Sequence, residues 1–288
     1  MIYVATVHWM NDKWITPQRR ALESHLKGDY RVFANLEGID GSFDSQFYYV
    51  EHGGGTHPDK LNRLSAAIAL EASRSDKIVF LDGDAFPIRE VGDWLDKLLD
   101  QHYLAAVRRK ENAGDLQPHP CFCVTTVGFW SDLGGDWSSG GSWTNERGKM
   151  TSDVGGQLLL TLNKHELAWR EILRSNKKDF HPLFFGVYED HIYHHGAGFR
   201  IPISRVDHGT VPIVMSKDYL SVRENARSKN LMHLRPKHVP KLIRAIRQAI
   251  GSRGLNDHIR SIQKQSDCIF QKLCADPEFF LMFEGEEP

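Results

Sequence analysis

Apolar and polar positions alternate along the chain between two periods. Ile2 to Val7 (IYVATV) is an almost unbroken apolar run, the pattern of a strand buried on both faces. Thr16 to Gly28 (TPQRRALESHLKG) predicts a helix, with Thr16 as its cap, Pro17 at its first position and Gly28 past its end. YRVFANL, from Tyr30, is the next strand, and strand, helix, strand implies a parallel sheet. Beyond the turn EHGGGT, Leu61, Leu64, Ile68 and Ala72 stand at helical spacing and lead into the strand KIVFL, Lys77 to Leu81. Tyr103 to Arg108 and Cys121 to Trp130 predict further strands, and Val154 to Ser175 a further helix. Between them, Ser131 to Asp153 is a Gly/Ser/Trp-rich loop too long for a mere connection. Near the C-terminus Val239, Leu242, Ile243, Ile246 and Ile250 share one helical face. The expected fold is α/β, a mostly parallel sheet flanked by helices over residues 1–215, followed by a helical C-terminal extension, 216–288.

Composition narrows the function classes. The 288 residues are 41% hydrophobic and 25% charged, ordinary globular usage. Lys+Arg 36 against Asp+Glu 37 gives a net charge of -1, so no global field favours nucleic acid as a partner. Cys121, Cys123, Cys268 and Cys274 have neither zinc-ligand spacing nor the look of a disulfide framework, and are expected to be small core residues. No signal-peptide pattern and no stretch of about 18 apolar residues is present. The expectation is a cytoplasmic chain, or one at the cytoplasmic face of a membrane.

The candidate chemistry begins where KIVFL meets Asp82, Gly83 and Asp84. Two like carboxylates at i, i+2 after a buried strand are costly unless a cation neutralises them. Asp-Gly-Asp also suits a type I turn, but the continuation into Phe86, Pro87 and Ile88 is too apolar for a solvated tip. Downstream, YEDHIYHHGAGFR carries His191, His194 and His195 beside Glu189 and Asp190. Carboxylates and an imidazole together suit a borderline divalent ion such as Mn²⁺. Glycines Gly196 and Gly198 would let backbone amides approach an anion.

A strand ending in Asp-Gly-Asp, an early parallel sheet and a later His-Gly cluster resemble the nucleotide-sugar glycosyltransferases of the GT-A fold, over residues 1–215. The resemblance implies that Asp84 binds Mn²⁺ or Mg²⁺, and that Asp82 contacts the ribose, a metal-bound water or the metal itself. His194 or His195 would add a ligand. It further implies that Thr6, Val7 and His8 line the nucleotide, with Lys60, Asn62 or Arg63 contributing polar contacts. The donor would be a nucleoside-diphosphate sugar, and the acceptor a hydroxyl of a glycan or lipid-linked molecule in bacterial-type glycan or glycoconjugate synthesis. Arg200 would assist departure of the diphosphate, and Asp153 would be the general base, although an Asp before a helical run is more often an N-cap.

Other features have two readings each. Trp130, Trp137 and Trp143 bracket the glycine loop and suit either sugar stacking or core packing. His52 and His57 flank a GGGT turn that lacks the Lys-Ser/Thr of a phosphate loop. The basic segment 237–253 would dock on the catalytic domain or make peripheral contact with an anionic membrane. Two other functions share parts of the pattern: a haloacid-dehalogenase-type phosphatase, and a non-catalytic carbohydrate-binding protein on a degenerate transferase fold. The phosphatase expects Thr or Val where Phe86 stands, and its aspartates in the first strand.

Overall fold

The computed structural model describes residues 1–112, 114–146, 148, 150–177, 181, 183–196 and 262–276. The described residues through 196 belong to one compact unit and 262–276 to another. The boundary expected at 215, and the basic segment 237–253, lie outside the described residues. In the second unit residues 262–275 are helical, with Ile262, Ser266, Ile269 and Leu273 buried at helical spacing.

In the first unit the chain runs β1 (Ile2–Trp9), α1 (Ile15–His25), β2 (Tyr30–Glu37), β3 (Tyr49–Glu51), α2 (His57–Ala69), β4 (Lys77–Asp82), β5 (Ala85–Pro87), α3 (Gly92–Leu99), β6 (Leu104–Val107) and β7 (His119–Thr126). It continues through α4 (Val127–Leu133), β8 (Trp143–Thr144), β9 (Met150–Thr151), α5 (Gly156–Lys164), β10 (Arg170–Ile172), β11 (Gly186–Tyr188) and β12 (Ile192–His194). Seven strands form the main sheet in the order β10-β6-β7-β4-β1-β2-β3. Only β7 runs against the rest. The expected mostly parallel sheet flanked by helices is therefore present.

Alternation along the strands divides the core in two. Val4, Val32, Val79 and Leu81 face Ile15 and Leu22 of α1, Leu26 just past its end, and Leu95 and Leu98 of α3. Tyr3, Ala5, Val7, Phe33 and Phe80 face Leu61, Leu64 and Ile68 of α2, Trp130 of α4, and Leu158 and Leu162 of α5. A sheet covered on both faces explains the unbroken apolar runs of β1 and β4.

Several local expectations change. Thr16 does not cap α1, which begins one residue earlier after Trp14. The helix of Leu61 stops at Ala69, before Ala72. The run Cys121 to Trp130 is a strand only as far as Thr126, whose hydroxyl accepts from Phe129 N at 3.2 Å and opens α4. The helix expected over Val154 to Ser175 ends at Lys164, and Arg170–Ile172 instead pairs with β6. The long loop carries the short hairpin of β8 and β9. Cys121 and Cys123 are buried as expected, whereas Cys268 and Cys274 are exposed.

A three-stranded antiparallel sheet, β11-β12-β5, stands beside the main one. Its turn has positive φ at both central residues, Glu189 (44°) and Asp190 (58°), and His191 N donates to Tyr188 O at 3.0 Å, as in a type I′ turn. Non-glycine residues are costly there. Arg170 pairs with Glu189 at 2.7 Å, and the Ser175 hydroxyl donates to Asp190 at 2.8 Å, holding the turn in place. Pairing of Ala85 with His194 then delivers a late histidine to the end of β4.

Candidate metal and donor site

Because β7 is antiparallel, its first residues lie at the same sheet edge as the last residues of β1, β2, β4 and β6. Trp9, Glu37, Asp82, Arg108 and His119 therefore mark one rim, where parallel sheets bind ligands.

The turn from β4 into β5 is clamped from below. Gln18, fully buried on α1, donates through Nε2 to Asp82 O and to Ala85 O, both at 2.8 Å. Its Oε1 accepts from the Thr6 hydroxyl at 3.1 Å and lies 3.1 Å from His8 Nε2. Burial lowers the pKa of His8 to about 4, so the ring is neutral and its partner is an amide. Thr6 and His8 thus reach the carboxylate turn through Gln18, while Val7 is in the core. Gln18 escaped the sequence reading, and its one signal was a polar residue between apolar positions of α1.

Asp84 is 5% exposed, and His194 Nε2 lies 3.5 Å from Asp82 Oδ2 and 3.5 Å from Asp84 Oδ1. One ligand atom from each of these three residues falls within 4.8 Å of the other two. Burial disfavours a charge on His194, but Cys121 and Asp84 outweigh it and hold its pKa well above the ordinary value. His195 is elsewhere. Its ring packs 4.5 Å from that of Trp14, and Tyr193 Oη is 2.9 Å from its Nδ1. Burial pushes its pKa down to about 3. What His195 gives the turn is its backbone, N donating to Asp84 O at 3.0 Å.

Two more histidines border the triad. His57, the first residue of α2, places Nε2 3.2 Å from Asp82 Oδ1. The His119 ring is 6.2 Å from that of His194, and its Nδ1 accepts from Cys121 N at 3.1 Å. Burial, then the positive field of Arg109, holds the pKa of His119 well below the ordinary value.

Arg109 continues the rim toward the glycine loop, pairing with Asp115 at 3.2 Å and Asp153 at 3.1 Å. Burial opposes its charge, but the two carboxylates prevail and its pKa is raised. Asp153 is therefore not the cap of α5. That position belongs to Gly155, in the left-handed region at φ 85°, while the Asp153 side chain accepts from Val154 N at 2.8 Å.

The remaining candidates are braces in this structure. Lys60 is buried against Glu37. Arg63 pairs with Glu51 at 2.8 Å and donates to Gly53 O at 3.1 Å. Asn62 donates to Asp136 at 2.7 Å and accepts from Trp137 N at 3.1 Å, tying α2 to the glycine loop. Trp130, Trp137 and Trp143 are all buried, and the first two rings pack on Phe80 at 4.6 and 5.1 Å. Core packing wins over sugar stacking because the loop folds back over α2 and β4. His52 pairs with Asp44 and Leu36 O, away from the triad. Arg200 and Gly198 lie outside the described residues.

The donor set fits a divalent cation. Ligands on adjacent corners of an octahedron stand roughly 3 Å apart for ion–oxygen bonds of about 2.1 Å. The 3.5 Å separations need only a small contraction to meet that. Two hard oxygens with one imidazole suit Mn²⁺ or Mg²⁺, the nitrogen favouring Mn²⁺.

No family model and no curated protein matches the chain. Among solved structures, TarS 1-349 of S. aureus is similar at 12% identity, over 96% of this chain and 88% of that one, with a TM-score of 0.42. The same protein in complex with UDP-GlcNAc matches at 13% identity, over 61% and 56%, with a TM-score of 0.39. The apo-form glycosyltransferase GlyE of Streptococcus pneumoniae matches at 16% identity, over 45% and 35%, with a TM-score of 0.35. Against S. aureus TarS, its 1-349 form with UDP, and GlyE, the match spans 29%, 49% and 35% of those chains.

Proposed function

We propose that the chain is a metal-dependent glycosyltransferase that moves a sugar from a nucleoside-diphosphate sugar to an acceptor hydroxyl. The observation that carries this reading is the convergence of Asp82, Asp84 and His194, from two sheets, at the carboxyl edge of β4. Asp82, Asp84 and His194 would hold Mn²⁺ or Mg²⁺, which when bound supplies positive charge to a leaving diphosphate.

Transfer breaks the bond between the anomeric carbon and the diphosphate oxygen, and the electron pair leaves with the diphosphate. A new bond forms from the anomeric carbon to the acceptor oxygen, whose proton must go to a base. Asp153 is the proposed base, with a side chain 39% exposed and oriented by Arg109. Gln18, buried beneath the turn, keeps both aspartates where the sheet ends. The acceptor is a glycan or a lipid-linked molecule. Among the described residues no helix is long and apolar enough to cross a membrane. Peripheral contact with an anionic membrane is assigned in this proposal to the basic segment 237–253.

The test is a thermal-shift screen of nucleoside diphosphates and their sugars, with and without Mn²⁺, on the wild type and on Asp84→Ala. A ligand at a hundred times its Kd stabilises by about 2.7 kcal/mol. The expected outcome is stabilisation that requires Mn²⁺ and is lost in the variant. Stabilisation only by Mg²⁺ with phosphate mimics would replace this reading with the phosphatase.

A further inference from the structure

We infer that His52 is a proton-operated latch: as the imidazolium it ties the surface segment Gly41–Gln46 to the end of β2, and on losing its proton it releases that segment beside the rim. The latch works in the same way whichever ligand the rim takes.

His52 directly follows β3, and its side chain is 43% exposed. Its Nδ1 lies 3.0 Å from Leu36 O, and its Nε2 lies 3.1 and 3.2 Å from the two carboxylate oxygens of Asp44. A carbonyl and a carboxylate can only accept, so each contact needs a hydrogen on the ring nitrogen. Neutral imidazole carries one N–H and imidazolium carries two. The neutral ring can therefore hold only one of these partners, and at its other nitrogen a lone pair faces the lone pairs of an oxygen. The observed arrangement is complete only with the added proton. In agreement, the Asp44 contact first, and then Leu36 O, raise the pKa of His52 above its ordinary value.

The segment joined by this ring has few other anchors. Gly41–Gln46 is a short 3₁₀ stretch, entered through Asp40, whose side chain accepts from Ser42 N at 2.8 Å, and none of its six residues is buried. Phe43 packs partly against the α1 side of the core, and Phe47 N donates to Asp44 O at 3.1 Å. Surface segments with so little burial open locally at small cost. Leu36, by contrast, is fully buried in β2 and precedes Glu37 at the rim. Charged groups on the neighbouring elements are engaged elsewhere. Glu37 of β2 holds Lys60, Glu51 of β3 holds Arg63, Asp59 of α2 takes the Thr56 hydroxyl, and Arg19 of α1 pairs with Glu23. Asp44 is the charge that His52 meets.

A histidine whose pKa is higher folded than unfolded contributes stability that is full below the unfolded value and lost as pH rises through the folded one. The latch is therefore closed in acid and opens toward alkaline pH.

Nuclear magnetic resonance of the full chain from pH 5.5 to pH 9 tests this, reading the His52 ring titration together with backbone order parameters of Gly41–Gln46. The wild type, Asp44→Asn and His52→Gln are compared. In the wild type the ring should titrate above the ordinary value of about 6.5, and across that midpoint the order parameters should fall from about 0.85 to below about 0.6. Asp44→Asn should move both midpoints to lower pH together. His52→Gln should leave the segment with the same order at every pH. A ring that titrates at or below the ordinary value would overturn the inference. Order parameters that stay constant through the midpoint would overturn it too, as would a pH-dependent loss of order that survives in His52→Gln or a midpoint of order that does not move with the ring in Asp44→Asn.

Discussion

Replacing Arg109 by methionine removes the cation that lies between Asp115 and Asp153 while keeping much of its volume. The Asp115 side chain is 3% exposed and the Arg109 side chain 22%, so the Asp115 pair is largely withdrawn from water. Breaking such a pair from one side costs about 3–5 kcal/mol, because the remaining carboxylate keeps its charge without its partner. Asp153 is 39% exposed, and solvent takes over its half of the interaction. The lower end, about 3 kcal/mol, is therefore expected, which in a domain of this size lowers Tm by roughly 6–12 °C. Burial already holds Asp115 above its ordinary pKa, against the opposing effects of Arg109 and Asn112. A carboxyl group with a higher pKa folded than unfolded costs stability as pH rises through the folded value. Loss of Arg109 raises that value further, so the deficit is largest near pH 7 and shrinks on acidification toward it. Differential scanning fluorimetry from pH 7 down to pH 5 follows this, and Asp115→Asn in the Arg109→Met background should recover at least half of the lost Tm. An Arg109→Met variant melting within 2 °C of wild type would refute the reasoning, as would a double variant no more stable than the single one.

Gly155→Ala places a methyl group on a left-handed residue, φ 85°, against the Pro118 carbonyl. A loss of more than about 1–2 kcal/mol is expected in urea denaturation, since the backbone term alone is of that size. Trp137 is fully buried against Phe80 and Trp130, so Trp137→Ala should cost about 3–5 kcal/mol, read as a lower urea midpoint. A sugar-stacking Trp would leave that midpoint unchanged. Cys268 and Cys274 are exposed, whereas burial raises the thiol pKa of Cys121 and Cys123. Ellman titration of the native protein should therefore show two fast thiols, and four only after unfolding.

Much of this molecule is decided locally, and so was legible in the sequence. The apolar runs of β1, β2 and β4 and the helical spacing of Leu61, Leu64 and Ile68 specify a parallel sheet covered on both faces, because a sheet strand without a wet face has no polar alternation. The aspartates after KIVFL signalled a cation site by charge alone. Where the sequence misled, tertiary pairing overrode local propensity. Val127 to Trp130 continues an apolar run, but Thr126 caps a helix there. Arg170–Ile172 extends a helical pattern, but β6 offers it an open edge.

Selection between His194 and His195 was beyond sequence, because adjacent residues of a strand point to opposite faces and only the pairing of β12 with β5 says which one meets Asp84. The contacts of Gln18, His57 and Arg109 were hidden for a related reason. Each meets a partner remote in the chain, and the return of β7 against its neighbours, with the small sheet beside it, decides which of them share the rim. Sequence by itself determined the sheet, its two helical covers and the charge that asks for a cation. The third candidate ligand, and the side of Asp82 that faces solvent, were decided by tertiary structure alone, since they depend on register and burial between segments that carry no information about each other until they pack.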